Sequence, residues 1–253
     1  MKTLLFLIPL IYTATCLADP VAAETKKVKP KREKSAIIFL GKPEGEGKLT
    51  RLFILSGQSN MAGLNHRSSF IPLIEKAFPD DTLIVVKDAQ SGQPIRRWAK
   101  DWQPVGDWTP KNPRSQPGNN DLYQRLIAMV TQATEGKTID SVSFVWMQGE
   151  ADAKKQQSTN YAEALTGLIQ QIRNDTGHET ITVVVGRISD HLKNDEHWDR
   201  VREAQMAICE ADAHATWIDT DAYNGKNDGL HYNGDGYQKL GEDFANATIE
   251  LLK

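Results

Sequence analysis

Apolar and polar positions follow two alternating patterns from residue 50 to the end of the chain. Short apolar and β-branched runs, which are typical of buried strands, lie near residues 51–56, 82–87, 140–147, 180–187 and 215–219. Segments with apolar residues on one helical face lie near residues 121–135, 158–174, 197–212 and 235–252. Nearly continuous apolar strands separated by helices are expected in a sheet that is covered on both faces. The pattern predicts an α/β fold, a three-layer α/β/α sandwich with a central, mostly parallel five-stranded sheet.

The N-terminal residues have a different pattern. Lys2 precedes an apolar run at residues 4–11, and small residues follow as far as Ala18. This is the pattern of a secretory signal peptide over residues 1–18, and it predicts a secreted or periplasmic protein. The alternative is a lipoprotein signal, in which case the protein would contact a membrane through a lipid anchor at Cys16.

Residues 19–49 resemble neither the signal nor the domain that follows. Basic residues crowd between positions 26 and 34, which predicts a solvated, Lys-rich tether. A patch that binds nucleic acid or a cell-wall polymer is the alternative. Within this stretch the apolar residues 36–40 would either add an edge strand or pack on the domain. The predicted folded domain therefore spans residues 50–253.

Composition narrows the range of partners. The chain has 253 residues, of which 40% are hydrophobic and 25% charged, as expected for one α/β domain. A formal net charge of -3 gives no reason to expect a nucleic-acid partner. Cleavage after Ala18 would leave Cys209 without a second cysteine, so no internal disulfide is expected.

The most informative segment joins the first predicted strand to a serine. The apolar run 52–55 ends before Gly57, and Ser59 follows two residues later. A hydroxyl between a strand and a helix lies beside unpaired backbone N–H groups, which stabilise the oxyanion of acyl transfer. A helix N-cap without chemistry is the alternative. The segment is not a Gly-x-Ser-x-Gly elbow, because Met61 occupies the position of the second glycine.

Three further segments carry residues suited to the same chemistry. Asp228 stands three residues before His231, a spacing that lets a carboxylate orient an imidazole in a turn. Gly92 and Gln148 each follow a predicted strand. Because ligands bind at the carboxyl edge of a parallel sheet, these segments are expected to meet Ser59 there.

These blocks, Gly57-Gln58-Ser59-Asn60-Met61, Gly92, Gln148-Gly149-Glu150 and Asp228-x-x-His231, resemble those of the SGNH-type hydrolases. Within these hydrolases they are similar to the sialate O-acetylesterase and acetylxylan esterase group, carbohydrate esterase family six. The resemblance implies a flavodoxin-like fold with Ser59 as nucleophile, His231 as base and Asp228 as its partner. It also implies an oxyanion hole from the N–H groups of Ser59 and Gly92 and the side chain of Gln148. The family usually has a pair of glycines in the second block, where this chain has Ser91-Gly92.

The interval from residue 88 to residue 120 contains no clear helix or strand, and such long loops are usually functional or disordered. It follows the strand that leads to Gly92, so it is expected to lie over the active-site edge. Trp98 and Arg97 are predicted to bind substrate there, with the indole stacked on a sugar ring, and Glu150 is the third predicted substrate contact. The alternative is that Trp98, Trp102 and Trp108 hold the loop to the protein.

Other functions remain open at this point. Glu150 and Asp152 could form the carboxylate pair of a glycoside hydrolase. A carbohydrate-binding protein without catalysis and a lipase-like or thioester hydrolase are further alternatives. The acidic and histidine residues between 190 and 197 lack the spacing of a metal site. The loop of residues 219–228 lacks the glycine that a calcium loop has at its sixth position, because Gly225 comes one residue late.

The resulting prediction is a secreted serine esterase that removes O-acetyl groups from a carbohydrate, either an acetylated polysaccharide or a sialic acid. The reaction would pass through an acetyl-enzyme and would need no metal or organic cofactor. The acetylated carbohydrate is the only partner that the sequence predicts, and the oligomeric state is left open.

Overall fold

A six-stranded sheet forms the centre of the molecule. The structure, a computed structural model, describes residues 33–104, 120–225 and 228–253. The strands are β1 (Ser35–Gly41), β2 (Thr50–Gly57), β3 (Thr82–Ala89), β4 (Ser141–Met147), β5 (Thr182–Gly186) and β6 (Ala215–Ile218). Their order across the sheet is β1-β3-β2-β4-β5-β6.

The five strands from β2 to β6 run parallel, as the apolar pattern predicted. Their spatial order is that of the flavodoxin-like doubly wound fold, in which the chain changes direction across the sheet between the first and third parallel strands. Here this switch point lies between β2 and β4. Ligands bind outside the carboxyl ends of the strands at such a point, and Ser59 and Gln148 follow the two strands that flank it.

The sixth strand corrects the predicted boundary of the domain. Strand β1 pairs antiparallel with β3, from Ser35 opposite Asp88 to Gly41 opposite Thr82. Its apolar residues divide between two sides, since Ile38 is buried and Phe39 is 56% exposed, as expected of an edge strand. The folded domain therefore includes residues that were assigned to the tether of residues 19–49. The signal peptide and the rest of the tether lie outside the described residues.

Helices cover both faces of the sheet. The eight α-helices among the described residues are α1 (Ser59–Gly63), α2 (His66–Ser69), α3 (Ile71–Ala77), α4 (Asp121–Thr134), α5 (Glu150–Lys154), α6 (Tyr161–Thr176), α7 (Glu196–Glu210) and α8 (Gly234–Leu251). Helices α7 and α8 both pack on β5 and β6, while α8 also contacts α2 and α3, and α7 contacts α6. The α/β/α sandwich is thus confirmed, and α4, α6, α7 and α8 confirm the four predicted helices.

Each long helix buries one apolar stripe, and the short helices serve to turn the chain after β2 and β4. Cys209 lies on the buried side of α7, as a small apolar residue would. None of the helices in the described ranges has the length and the apolar character that a membrane span requires.

Candidate active site

The turn that presents Ser59 depends on Gly57. This glycine has φ 144°, and a Cβ atom placed on it would lie 2.0 Å from the carbonyl oxygen of Met147. The close approach lets the N–H of Gln58 donate to that same oxygen at 2.9 Å, which ties the end of β2 to the end of β4. Ser59 then begins α1 and is partly exposed.

Asp228 and His231 form the predicted pair. The Asp228 Oδ2 atom lies 2.6 Å from His231 Nδ1, and Asp228 Oδ1 accepts from the N–H groups of Leu230 at 3.0 Å and His231 at 2.8 Å. The N–H and the ring of His231, followed by the N–H of Leu230, hold the pKa of the Asp228 carboxyl well below its usual range. The carboxylate is therefore ionised, and it orients the ring through Nδ1.

A cavity of about 430 Å³ brings the separate segments together. It lies at the carboxyl edge of the sheet, where the switch point predicts a ligand site. Its lining consists of Gln58, Ser59, Ser91, Gly92, Glu150, Ala151, Lys154, Lys155, Leu230 and His231. The predicted nucleophile, base, glycine donor and one predicted substrate contact thus share one space.

Asn60 links three of these segments, a role that the sequence analysis did not assign to it. Its Nδ2 atom donates to Glu150 Oε1 at 2.9 Å and to the carbonyl oxygen of Leu230 at 3.2 Å. Its Oδ1 atom accepts from the hydroxyl of Tyr237 at 3.2 Å. One buried amide therefore holds the serine turn, the start of α5 and the histidine loop. The only signal in the sequence was its place beside Ser59.

Glu150 is a buried acid in the wall of the cavity. Its side chain is 1% exposed, and burial raises the pKa of its carboxyl despite the hydrogen bond from Asn60. Its Oε2 atom has no hydrogen-bond partner among the described residues. Glu150 lines the cavity, but this oxygen atom is itself buried, so the contact with substrate stays a prediction.

Gln148 is not placed as the oxyanion donor that the resemblance implied. Its side chain is fully buried and is absent from the cavity lining. Its Nε2 atom donates to Asp152 Oδ2 at 2.5 Å and to the carbonyl oxygen of Gln93 at 3.1 Å, with Gln58 Oε1 at 3.3 Å. Asp152 and the carbonyl group of Gln93 thus accept the two amide hydrogens of Gln148, which leaves neither hydrogen for a substrate oxygen.

The tryptophan prediction is wrong for Trp98. This indole is fully buried and packs edge-on against Trp146, with ring centroids 5.2 Å apart. A buried ring presents no face to a sugar, so it holds the loop to the protein, as the alternative proposed. Trp102 is likewise buried. Trp108 lies outside the described residues.

Arg97 also has a different environment from the one predicted. It forms a two-pronged ion pair with Asp121 at the start of α4, and its Nη1 atom donates to Gln93 Oε1 at 2.6 Å. These contacts tie the loop after Gly92 to the helix layer, and Arg97 does not line the cavity. Arg97 therefore contacts Asp121 and Gln93 in place of the predicted substrate.

The competing readings of the acidic residues find little support in the geometry. Asp152 is fully buried and does not line the cavity, so Glu150 and Asp152 do not flank a shared space as a glycosidase pair would. Asp219 and Asp221 are paired with Arg187 and with Arg202. The described parts of the chain contain no group of three or more His, Cys, Asp or Glu residues arranged to hold a metal ion.

The fold and the serine, histidine and aspartate at its switch point define an SGNH-type hydrolase. A family model described as carbohydrate esterase, sialic acid-specific acetylesterase, matches residues 66–250, which is more than half of the chain. The protein therefore belongs to this family of carbohydrate esterases. Comparison with curated protein sequences gave no match.

Solved structures with the same fold include three that cover most of the chain. A protein from Arabidopsis thaliana has 19% identity and a TM-score of 0.61, with 79% of this chain and 98% of that chain covered. NanS has 10% identity and a TM-score of 0.57, with 82% of this chain and 98% of NanS covered. A carbohydrate acetylesterase from Xanthomonas citri has 15% identity and a TM-score of 0.55, with 79% of this chain and 56% of that chain covered. At these identities the likeness concerns the fold alone.

Proposed function

We propose that this protein is a serine esterase that removes O-acetyl groups from a carbohydrate through an acetyl-enzyme, and that residues 1–18 direct its export. The observation that carries the catalytic part is the arrangement of Ser59 and His231 in one cavity, with Asp228 2.6 Å from His231 Nδ1. Membership in a carbohydrate esterase family supports the class of substrate.

The tautomer of His231 follows from its contact with Asp228. Because the ionised carboxylate can only accept, Nδ1 carries the proton and Nε2 is left as the base. In the first step Nε2 takes the proton from Ser59 Oγ while Oγ attacks the acetyl carbonyl carbon. The tetrahedral intermediate then expels the sugar oxygen, which leaves as a hydroxyl with the proton from His231.

The second half of the reaction uses the same groups. Water attacks the acetyl-enzyme while His231 Nε2 accepts its proton, and acetate leaves as the proton returns to Ser59. The negative oxygen of each intermediate needs donors at the cavity wall. Ser59 and Gly92 both line the cavity, and their N–H groups are the donors that we assign.

The charges at the cavity favour an acidic sugar. Lys154 and Lys155 are exposed and line the cavity together with Ser59 and His231. Ammonium groups there would attract a substrate carboxylate, such as that of a sialic acid. The family description, sialic acid-specific acetylesterase, supports the same choice between the candidate substrates.

Acetate release tests the proposal directly. We expect the wild-type protein to release acetate from an O-acetylated sialoside faster than from acetylxylan, and Ser59→Ala to fold normally but lose about three to six decades of activity on either. The exposed carboxylate variant Glu203→Gln on α7 serves as the matched control. A Ser59→Ala variant with more than a tenth of the wild-type rate would contradict the serine mechanism.

A further inference from the structure

Asp152 lies behind the active-site cavity and accepts two hydrogen bonds on a single oxygen. Gln148 Nε2 donates to Asp152 Oδ2 at 2.5 Å, and the backbone N–H of Ile95 donates to the same atom at 2.9 Å. The Asp152 side chain is fully buried, so water does not compete for these contacts.

The two donors come from different parts of the site. Gln148 follows β4, whereas Ile95 belongs to the loop after β3 that carries Gly92. Gln148 also donates to the carbonyl oxygen of Gln93 in this loop at 3.1 Å. We call the side chains of Asp152 and Gln148 the bracket. They bind the loop at two backbone groups just beyond Gly92, the carbonyl oxygen of Gln93 and the N–H of Ile95.

The tip of this loop, Ser91 and Gly92, is held by contacts of the chain on either side of it. Ser91 and Gly92 are both exposed, whereas Pro94, Ile95 and Arg96 are buried. The position of the Gly92 N–H at this exposed tip therefore depends on the contacts that hold the chain on either side of it. On the β3 side this is the bond from the N–H of Gln90 to the carbonyl oxygen of Gly57 at 3.0 Å. On the other side it is the bracket, together with the side chain of Gln93, which donates to the carbonyl oxygen of Ser91 at 3.1 Å and accepts from Arg97 Nη1 at 2.6 Å.

We propose that Asp152 is a positioning residue, which acts through Gln148 and Ile95 to hold the N–H of Gly92 toward the carbonyl oxygen of the substrate. The inference rests on the proposed esterase function. It also gives Gln148 a role that differs from direct donation to the oxyanion. Displacement of a donor by about 1 Å is enough to cost two decades in rate, so loss of the bracket should lower kcat.

Two substitutions separate the contact from the charge. Asp152→Ala removes the acceptor, so we expect kcat on p-nitrophenyl acetate to fall about 30- to 300-fold while KM stays within about threefold. Asp152→Asn retains a carbonyl oxygen that can accept both bonds, because they converge on one atom. It should stay within about fivefold of the wild-type kcat. Glu203→Gln on α7 is the control.

Hydrogen exchange tests the bracket without reference to catalysis. The amide of Ile95, which donates to Asp152, should exchange about ten times faster in Asp152→Ala than in the wild type, and at the wild-type rate in Asp152→Asn. If Asp152→Ala does not fold, Gln148→Met removes the amide donor at similar side-chain length and should give the same loss of protection and of kcat.

The outcomes distinguish the two proposals. Wild-type exchange of the Ile95 amide in Asp152→Ala, or a kcat within threefold of wild type, would overturn the positioning role. A change in KM without a change in kcat would do the same, since it would place Asp152 in substrate binding. If the bracket variants loosen the loop as expected but Ser59→Ala keeps its activity, the esterase mechanism fails while the structural role of Asp152 stands.

Discussion

Replacement of Gly57 by alanine should damage the fold and the site together. The new Cβ atom would lie 2.0 Å from the carbonyl oxygen of Met147, an approach that real atoms do not make. A backbone φ of 144° adds strain for any residue with a side chain, about 1–3 kcal/mol. Moving β2 away from β4 to relieve the contact adds a further cost of about 1–3 kcal/mol. We therefore expect about 2–6 kcal/mol of destabilisation.

Gly136 offers the matched control for this experiment. It also has a positive φ, 71°, but no atom lies within 4 Å of a Cβ placed on it. Gly136→Ala should thus cost only the left-handed backbone penalty of about 1–2 kcal/mol. Equilibrium unfolding in urea, followed by circular dichroism, gives both free energies, and kcat on p-nitrophenyl acetate gives the effect on Ser59.

The comparison yields a clear criterion. Gly57→Ala should be the less stable variant by the cost of the contact with Met147, about 1–3 kcal/mol. Its folded fraction should have a kcat at least tenfold below that of Gly136→Ala. Equal destabilisation of the two variants would refute the argument that the contact with Met147 requires glycine. A normal kcat in Gly57→Ala would show that the serine turn tolerates a shift of β2.

Three further predictions follow from the same geometry. Asp228→Asn should lower kcat by about two to four decades, because its amide favours the wrong tautomer of His231; a loss below tenfold on p-nitrophenyl acetate would contradict this. Trp98→Ala should lose about 3–5 kcal/mol of stability and should lower kcat/KM on an acetylated sugar and on p-nitrophenyl acetate by the same factor. A decrease in kcat/KM for the sugar alone would instead support stacking of Trp98 on the sugar ring. Burial raises the pKa of Asp152 to about 7, so the folded state holds a proton that the unfolded chain releases near pH 4. The wild type should therefore lose stability relative to Asp152→Asn as pH rises from 4 to 7, and a pH-independent difference in Tm would exclude this titration.

The charged groups around Asp152 do not reverse the direction of that last prediction. Arg96 and Lys155 favour the ionised form, as do the hydrogen bonds from Gln148 and Ile95, but burial outweighs all four. A raised folded-state pKa means that the folded state binds more protons than the unfolded chain between pH 4 and pH 7. Stability then decreases with rising pH across that window.

The strands and long helices were predictable because each buries a periodic set of apolar residues, and the period does not depend on the rest of the fold. The Asp228–His231 pair was predictable for a similar reason, since a spacing of three residues within one turn determines it locally. Strand β1 was harder to assign, because an edge strand has one exposed side and Phe39 there is solvent-facing. Only its pairing with β3 decides that the segment is a strand.

The errors at the site concern residues whose role depends on distant partners. An indole can stack on a sugar or pack in a core with the same chemistry. Trp98 packs in the core because it contacts Trp146, which is 48 positions away in the sequence. The amide of Gln148 was assigned to the cavity, but its direction is set by Asp152 and Gln93. The role of Asn60 likewise required the positions of Glu150 and Leu230. Local spacing contains no information about such pairings.

Strand β1 has a consequence for work with shortened forms of this protein. It covers the outer edge of β3, the strand that leads to Gly92, with an unbroken ladder from residue 35 to residue 41. A fragment beginning at Thr50 would keep the pairing of β3 with β2 but leave the outer edge of β3 unpaired along its full length. A fragment beginning at residue 66, where the family match starts, would lack β2 and Ser59 as well. Such an open edge recruits strands from other molecules. Expression trials that retain residues 33–49 should therefore yield monodisperse protein more readily than trials that omit them.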